Sequence, residues 1–459
     1  MSVGGRGTAL AFGCTLLCCA CGEDFAPQPE GPSPNEWSRS FGDPMSQHAQ
    51  AVAVDAYGNI YVAGSFQGTM EVGINVLTAE SGEDIFIVKY DTDGGVVWGR
   101  RYGHDGDQHA TAVALDPAGN LLVTGDFGGT LDFGGAPLTA AGTTDVFLVK
   151  LSPEGDHLAT QSLSGAGSER AWGVAVGADG NVVVGGDFDV DMGGSMIAEG
   201  ERDIFAMKLS ADLAPLWSKH FGQIFEDVLL GIDVSVTNEI ALTGYSRSPL
   251  DFGGDVLPPS GAEANEDAFI AVLDEEGEHI WSRRLGDITA QRGYDVRFTV
   301  DGELLVMGSF GGTIDFGGIE HRSSSSYDAF VVKYDQGGEP LWVRSYGVSG
   351  DQQGYRVAVD RDGNVFIAGD YRDIVGFGGE QWESAGEWDV FLAKVDGAGN
   401  HLSSHGFGDP LNQHVADLAV DTAGHPVLVG SYFGVIDFGF GYIHESAGQD
   451  DPFVAKCPP

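Results

Sequence analysis

Asp84-Ile85-Phe86, Asp145-Val146-Phe147, Asp203-Ile204-Phe205, Asp267-Ala268-Phe269, Asp328-Ala329-Phe330, Asp389-Val390-Phe391 and Asp451-Pro452-Phe453 are one tripeptide, D-x-F, seen seven times at gaps of 61, 58, 64, 61, 61 and 62 residues. A period this regular marks stacked or radial units, none of which can bury its hydrophobic face alone. Around the first copy, Ala51–Val54 is a short apolar strand and Asp55-Ala56-Tyr57-Gly58-Asn59 a turn. Ile60–Gly64 is a second strand, followed by a glycine-rich excursion through residue 83. Asp84–Tyr90 is a third strand, Asp91–Gly95 a turn, and Val96–Gly103 a fourth strand. Turn chemistry separates short runs, and no 3.6-residue period persists long enough for a helix.

Four strands per unit and seven units predict an all-β, seven-bladed β-propeller. The chain ends point the same way. Trp37-Ser38-Arg39-Ser40-Phe41-Gly42 reads as a fourth strand with no preceding three, and the chain stops after a third strand at Asp451–Lys456. The N-terminal strand is therefore expected to complete the last blade, which removes two open sheet edges.

The string V-D-x-x-G-N-[IV]-x-[VI]-A-G at 54–64 and 359–369, with its companion G-T-[LI]-D-F-G-G at 129–135 and 312–318, resembles the seven-bladed β-propeller (SBBP) repeat of bacterial exported proteins. The resemblance covers roughly residues 37–456 and implies the fold; it carries no shared catalytic motif. Blade four departs most, with Asn238-Glu239 where other blades carry Gly-Asn or a near relative.

The chain has 459 residues, 71 of them glycine, and a formal net charge of −45. Glycines at repeated places mark turns, not disorder. So acidic a surface repels nucleic-acid phosphates and anionic headgroups, which argues against both as partners and leaves cations or a basic protein as possible ones.

Within residues 1–20 Arg6 is the lone charge, and the uncharged run Thr8–Ala20 after it is shorter than the about 20 apolar residues a bilayer span requires. Residues 1–20 read as a signal peptide. Its end looks like a bacterial lipoprotein signal, with Ala20 before Cys21 as the lipidated cysteine; Cys18 stands where that motif prefers Leu, and Cys14, Cys18 and Cys19 are alternatives, as is an ordinary cleaved signal. Residues 21–36 hold four prolines and form a linker, and 37–459 the propeller. The address expected is an exported, lipid-anchored protein of the cell envelope, at the outer membrane or cell surface, touching the membrane through its lipid and otherwise monomeric.

Internal repetition separates scaffold from site. Residues identical in every blade build blades, so the D-x-F aspartates and the lysines at one repeated place, Lys89, Lys150, Lys208, Lys333, Lys394 and Lys456, are read as structural. Asp91-Thr92-Asp93-Gly94-Gly95 has alternate carboxylates but lacks the ligand set of a calcium loop, and its likeness to the Asp-box turn of sialidase propellers concerns the turn alone. Cys457 reads as a bystander.

The variable ring lies where each fourth strand leads into the next first strand: Gln47-His48, Gln108-His109, Glu169-Arg170, Asp227-Val228, Gln291-Arg292, Gln352-Gln353 and Gln413-His414. The first members are expected to bond loop backbone. The second members, His48, His109, Arg170, Arg292 and His414, are the candidate ligand-facing rim near the channel mouth. His414, His48 and His109 fall in blades that neighbour one another once the ring closes, and three imidazoles suffice for zinc. Metal ligands must sit about 2.0–2.1 Å from the ion, however, and adjacent blades are much farther apart. No cofactor is expected, with calcium and zinc the alternatives to test. The function expected is a non-enzymatic envelope lipoprotein presenting loop faces to a polysaccharide, a basic protein or a cation. The alternatives are an exported lyase or hydrolase with its site at the mouth, and a purely structural role.

Overall fold

A computed structural model describes Met1 and residues 36–193, 196–260 and 265–459. The expected lipid site Cys21, and the leader and linker apart from Met1 and Glu36, lie outside the described residues. The described residues form seven four-stranded antiparallel sheets and no helix. In each sheet the first strand is innermost: Gln47–Val54, Gln108–Leu115, Glu169–Val176, Asp227–Val234, Gln291–Phe298, Gln352–Val359 and Gln413–Val420. Each innermost strand packs on the next, and the last packs on the first, so the ring closes. The seventh sheet takes its outermost strand from the N-terminus, with Trp37, Ser38, Arg39 and Ser40 opposite Lys456, Ala455, Val454 and Phe453. The expected seven-bladed propeller and its closure are both present.

The hydrophobic cores lie between blades. Tyr61, Ala63, Ile85 and Ile87 of the first blade cluster with Ala110, Leu121, Val123 and Phe147 of the second. Second and third strands are therefore buried on both faces, as Ile60–Phe66 and Asp84–Tyr90 are throughout, and they read as continuous apolar runs without alternation.

The repeated residues now have physical roles. Each D-x-F aspartate is buried and accepts a backbone N–H from the end of the preceding excursion, as Asp84 Oδ2 does from Glu80 (3.0 Å) and Asp451 Oδ2 from Ala447 (2.7 Å). In six blades its other oxygen lies against the glycine that follows an outermost strand, whereas in blade two Ser164 takes that place and Asp145 Oδ1 accepts from Gly142 N. A Cβ on Gly103 would sit 2.4 Å from Asp84 Oδ1, so only glycine fits there. Burial pushes Asp203, Asp389 and Asp451 up to about 6.

Four of the six repeated lysines, Lys89, Lys150, Lys208 and Lys333, bolt neighbouring blades together, while Lys394 and Lys456 pair with Asp360 and Asp421 of their own blades. Lys89 Nζ and the Trp98 indole N–H both donate to Pro153 O of the next blade, at 3.0 and 3.2 Å. Lys208 and Trp217 converge in the same way on Glu275 O, and Lys333 and Trp342 on Gly397 O. The Asp-rich turn uses its own carboxylate, with Asp91 Oδ1 accepting from Asp93 N (3.0 Å) and Gly95 N (2.7 Å). Cys457 is fully buried in the last core, and that burial pushes its thiol up.

The glycine-rich excursions are more ordered than their composition suggests. Five of them contain a short hairpin, such as Thr69–Val72 with Asn75–Thr78 and Thr313–Asp315 with Glu320–Arg322. The phenylalanine of the D-F-G-G tract wedges between blades: Phe133 lies 5.1 Å from Phe147 of its own blade and 5.0 Å from Tyr102 of the preceding one. Phe377 does the same with Phe391 and Tyr346. Blade four keeps its turn through Asn238, which adopts φ +66°, a conformation asparagine tolerates better than other side chains do.

Candidate ligand site at the channel mouth

Every innermost strand carries a β-bulge at the same place, between its third and fifth residues. The bulge leaves one residue unpaired and re-aims its side chain. These residues are Gln50, Thr111, Trp172, Leu230, Tyr294, Tyr355 and Ala416, and all seven line a single cavity of about 320 Å³ at the channel mouth. The site is thus made by a backbone irregularity repeated once per blade.

The ring divides in two. Blades three to six supply the large side chains Trp172, Leu230, Tyr294 and Tyr355. Blades seven, one and two supply the small or polar Ala416, Gln50 and Thr111. The wall is held from behind. Tyr294 and Tyr355 meet edge to face at 4.9 Å, Tyr355 Oη donates to Gln353 Oε1 (2.5 Å), and the Trp172 indole donates to Asp187 Oδ2 (2.5 Å), which also holds Arg202.

Below the mouth, carboxylates stitch the inner strands together. Asp233 Oδ2 accepts from Phe298 N (2.7 Å), Asp295 Oδ2 from Val357 N (2.9 Å), Asp370 Oδ1 from Val415 N (2.9 Å) and Asp417 Oδ2 from Val52 N (2.8 Å). Each bond crosses to another blade. Arg356 lies 3.3 Å from Asp417 Oδ1, and Arg297 3.5 Å from Asp295 Oδ1, so two of these four carboxylates have an arginine counter-charge.

A second cavity of about 340 Å³ adjoins the first and shares His48, Gln50, Thr111 and Trp172 with it; Glu83, His109, Asp126 and Arg170 are the charged or titratable groups added to its lining. The rim residues named from the sequence therefore separate. His48 and His414 line the mouth, while His48, His109 and Arg170 line the adjoining cavity. Arg292 is held to Glu266 (2.6 Å) with its guanidinium over Tyr245, outside both linings. His109 has Nδ1 on Asp126 (3.0 Å) and Nε2 on Glu83 (3.2 Å), and hydrogen bonds to those carboxylates push it up to about 10. His414 Nδ1 donates to Asp370 Oδ2 (2.7 Å), which raises its pKa. With both its nitrogens engaged, His109 has no lone pair for zinc. Among the described residues no three histidine, cysteine or carboxylate side chains gather so as to hold a metal ion.

The first members of the pairs are buried and bond loop backbone, as expected. Gln413 accepts from Asp409 N at 3.0 Å, and Gln352 donates to Ser349 O at 2.6 Å. In blade three the amide is replaced by Glu169, fully buried beside Asp145, and burial followed by the Asp145 charge pushes it up to about 8. A neutral carboxylic acid thus stands in for the glutamine. In the unfolded chain this group returns toward 4.5, so between those values the native state holds the extra proton and stability falls as pH rises. Below that window Glu169→Gln is expected to leave the melting temperature unchanged. At pH 9 it should stabilise the protein by about 2 kcal/mol. Thermal unfolding from pH 4 to 9 reads this, and an equal effect at both ends would remove the assignment.

The fold is a seven-bladed β-propeller with a concave mouth lined by side chains that differ from blade to blade. No family model matches the chain. It is 22% identical, over 88% of its length, to an uncharacterized WD repeat-containing protein of Acanthamoeba polyphaga mimivirus, and 26% identical, over 46%, to the regulatory protein FlaEY of Caulobacter vibrioides. The aligned regions span 37% and 23% of those proteins. Among solved structures it is similar to the WD40 propeller domain of Doa1 (10% identity, TM-score 0.46, 91% and 96% of the two chains) and to a puromycin hydrolase (14%, 0.48, 88% and 54%).

Proposed function

We propose that this chain is an exported, non-enzymatic binding module, tethered to a cell envelope through a lipid on Cys21, with its ligand in the channel mouth. The observation that supports it most is the convergence of seven bulge residues, different in nearly every blade, on one concave site. Side chains that build blades repeat; these do not, and concave, partly apolar sites with a few polar groups are where ligands bind. The likeness of the N-terminus to a lipoprotein signal supports the tether, and the SBBP-like repeat supports export.

An exported lyase or hydrolase is the second reading, and one observation favours it. Ser65, Glu83, His109 and Asp126 form a hydrogen-bonded chain beside the mouth. His109, protonated between two carboxylates, is however a poor general base, because a base needs a free lone pair near neutral pH.

Intact mass of the mature protein from native membranes tests the tether. A chain beginning at an acylated Cys21 is expected, and an unlipidated start elsewhere overturns it. For the mouth, the mature protein is screened against envelope glycans and basic peptides, and the best binder is measured against Tyr294→Ala. At least a tenfold loss is expected; unchanged binding would place the ligand elsewhere.

A further inference from the structure

We infer that the mouth takes an acidic saccharide, its sugar ring stacked on the wall of Trp172 and Tyr294 and its carboxylate on the Arg170 guanidinium. This rests on the mouth being the ligand site. Three observations carry it.

The first is the division of the ring. Its wall is aromatic and aliphatic, while the opposite arc offers the Gln50 amide and, as an acceptor, the Thr111 hydroxyl, whose proton goes to Ala171 O (2.7 Å). A wholly apolar ligand would strip water from that polar arc without replacing its hydrogen bonds. A bare inorganic anion would leave the wall unused. A pyranose has an apolar C–H face and a hydroxyl edge, and so matches both halves.

The second is Arg170. It is exposed on the wall of the adjoining cavity, and no hydrogen bond or ion pair holds it among the described residues, although the buried Asp187 charge acts on it through space. Its neighbours in the fold are committed: Arg202 to Asp187, Arg292 to Glu266 and Arg356 to Asp417. A guanidinium fork free at a cavity wall matches a carboxylate in two parallel hydrogen bonds. In a chain of net charge −45, that charge selects against basic ligands at this spot.

The third is continuity. The two cavities meet at Trp172, so a ring on the aromatic wall and an acid group at Arg170 can belong to one molecule.

The test is titration calorimetry on the mature protein with disaccharides of galacturonate, glucuronate and mannuronate, their neutral hexose counterparts, and inorganic phosphate. At least one acidic disaccharide is expected to bind, with its neutral counterpart at least tenfold weaker. Arg170→Ala should erase that difference and Arg170→Lys restore part of it, while Trp172→Ala should weaken acid and neutral sugar alike. Because Arg170 is exposed, its variants are expected to melt with the wild type, which separates lost binding from lost fold. Equal binding of neutral sugars, phosphate binding as tight as the sugar, or no heat with any saccharide overturns the inference. In the last case, another ligand that Tyr294→Ala still abolishes would leave the mouth as the site and remove only the saccharide. A ligand indifferent to Tyr294→Ala would remove the mouth itself.

Discussion

Trp37→Ala is expected to destabilise the protein by about 3–5 kcal/mol, the range for truncating a large buried aromatic, and to open the ring. Trp37 is 3% exposed, its ring lies 5.7 Å from Tyr90, and its indole donates to Thr92 O (3.1 Å). These contacts dock the N-terminal strand on the blade that follows. In the other six blades the outermost strand is tied to its neighbour by a turn, whereas Trp37–Ser40 is held on Lys456–Phe453 by non-covalent contacts alone. Losing the anchor therefore frees a strand and exposes two sheet edges. Trp98→Ala is the control: the same indole bond, to Pro153 O, is lost from a strand its own turn still tethers. Both variants should melt early, but only Trp37→Ala should also gain proteolytic cutting near residue 40 and self-association on gel filtration. Matching behaviour of the two would show that closure does not depend on the N-terminal strand.

Asp267→Ala carries a comparable effect for a different reason. Asp267 and Arg284 are 1% and 5% exposed and paired at 2.7 Å, and the arginine also donates to Ser248 O (2.6 Å) and Ser246 O (2.7 Å). Asp267 Oδ2 in turn accepts from Ser260 N at 2.7 Å. Removing the carboxylate leaves a buried guanidinium without its counter-ion and a backbone donor without its acceptor. The expected cost is about 3–5 kcal/mol, because breaking one side of a buried pair is far worse than replacing both. The double variant Asp267→Ala with Arg284→Met should recover part of it. Denaturant unfolding of the three proteins decides this. A single variant within about 1 kcal/mol of wild type would show that water reaches the site and takes over the carboxylate's role.

Much of this architecture was legible in the linear chain. The D-x-F period predicts seven blades because each blade needs the same buried Asp cap and the same buried third-strand Phe, and a requirement met seven times must be written seven times. The isolated strand at Trp37 predicts closure for the same reason. The repeated lysines were read as structural, and Lys89 and Lys208 indeed serve blade seams. The excursion hairpins were not legible. Their strands, such as Glu320–Arg322, are short and polar, and that hairpin is held down by Ile314, the Phe316 wedge and a His321–Ser345 hydrogen bond.

The candidate site was legible in part. Position two of each inner strand, where His48 and His414 stand, was found by its variability. Position four, the bulge, varies more, from Ala416 through Gln50 to Trp172, and that variability was the available signal. It went unread because a strand with strict alternation sends residues two and four to the same side, one of many surface positions. Only the bulge turns position four toward the axis.

The sequence by itself determined the number of blades, their strand order and the closure of the ring, because these follow from local pattern and its repetition. The tertiary structure alone decided which side chains meet at the axis and what charge they carry. Trp172 and Tyr355 are far apart in the chain and share a cavity through ring geometry, and Glu169 keeps its proton because a neighbouring blade buries it beside Asp145. Local pattern sets what each blade is; proximity between blades sets what the mouth can hold.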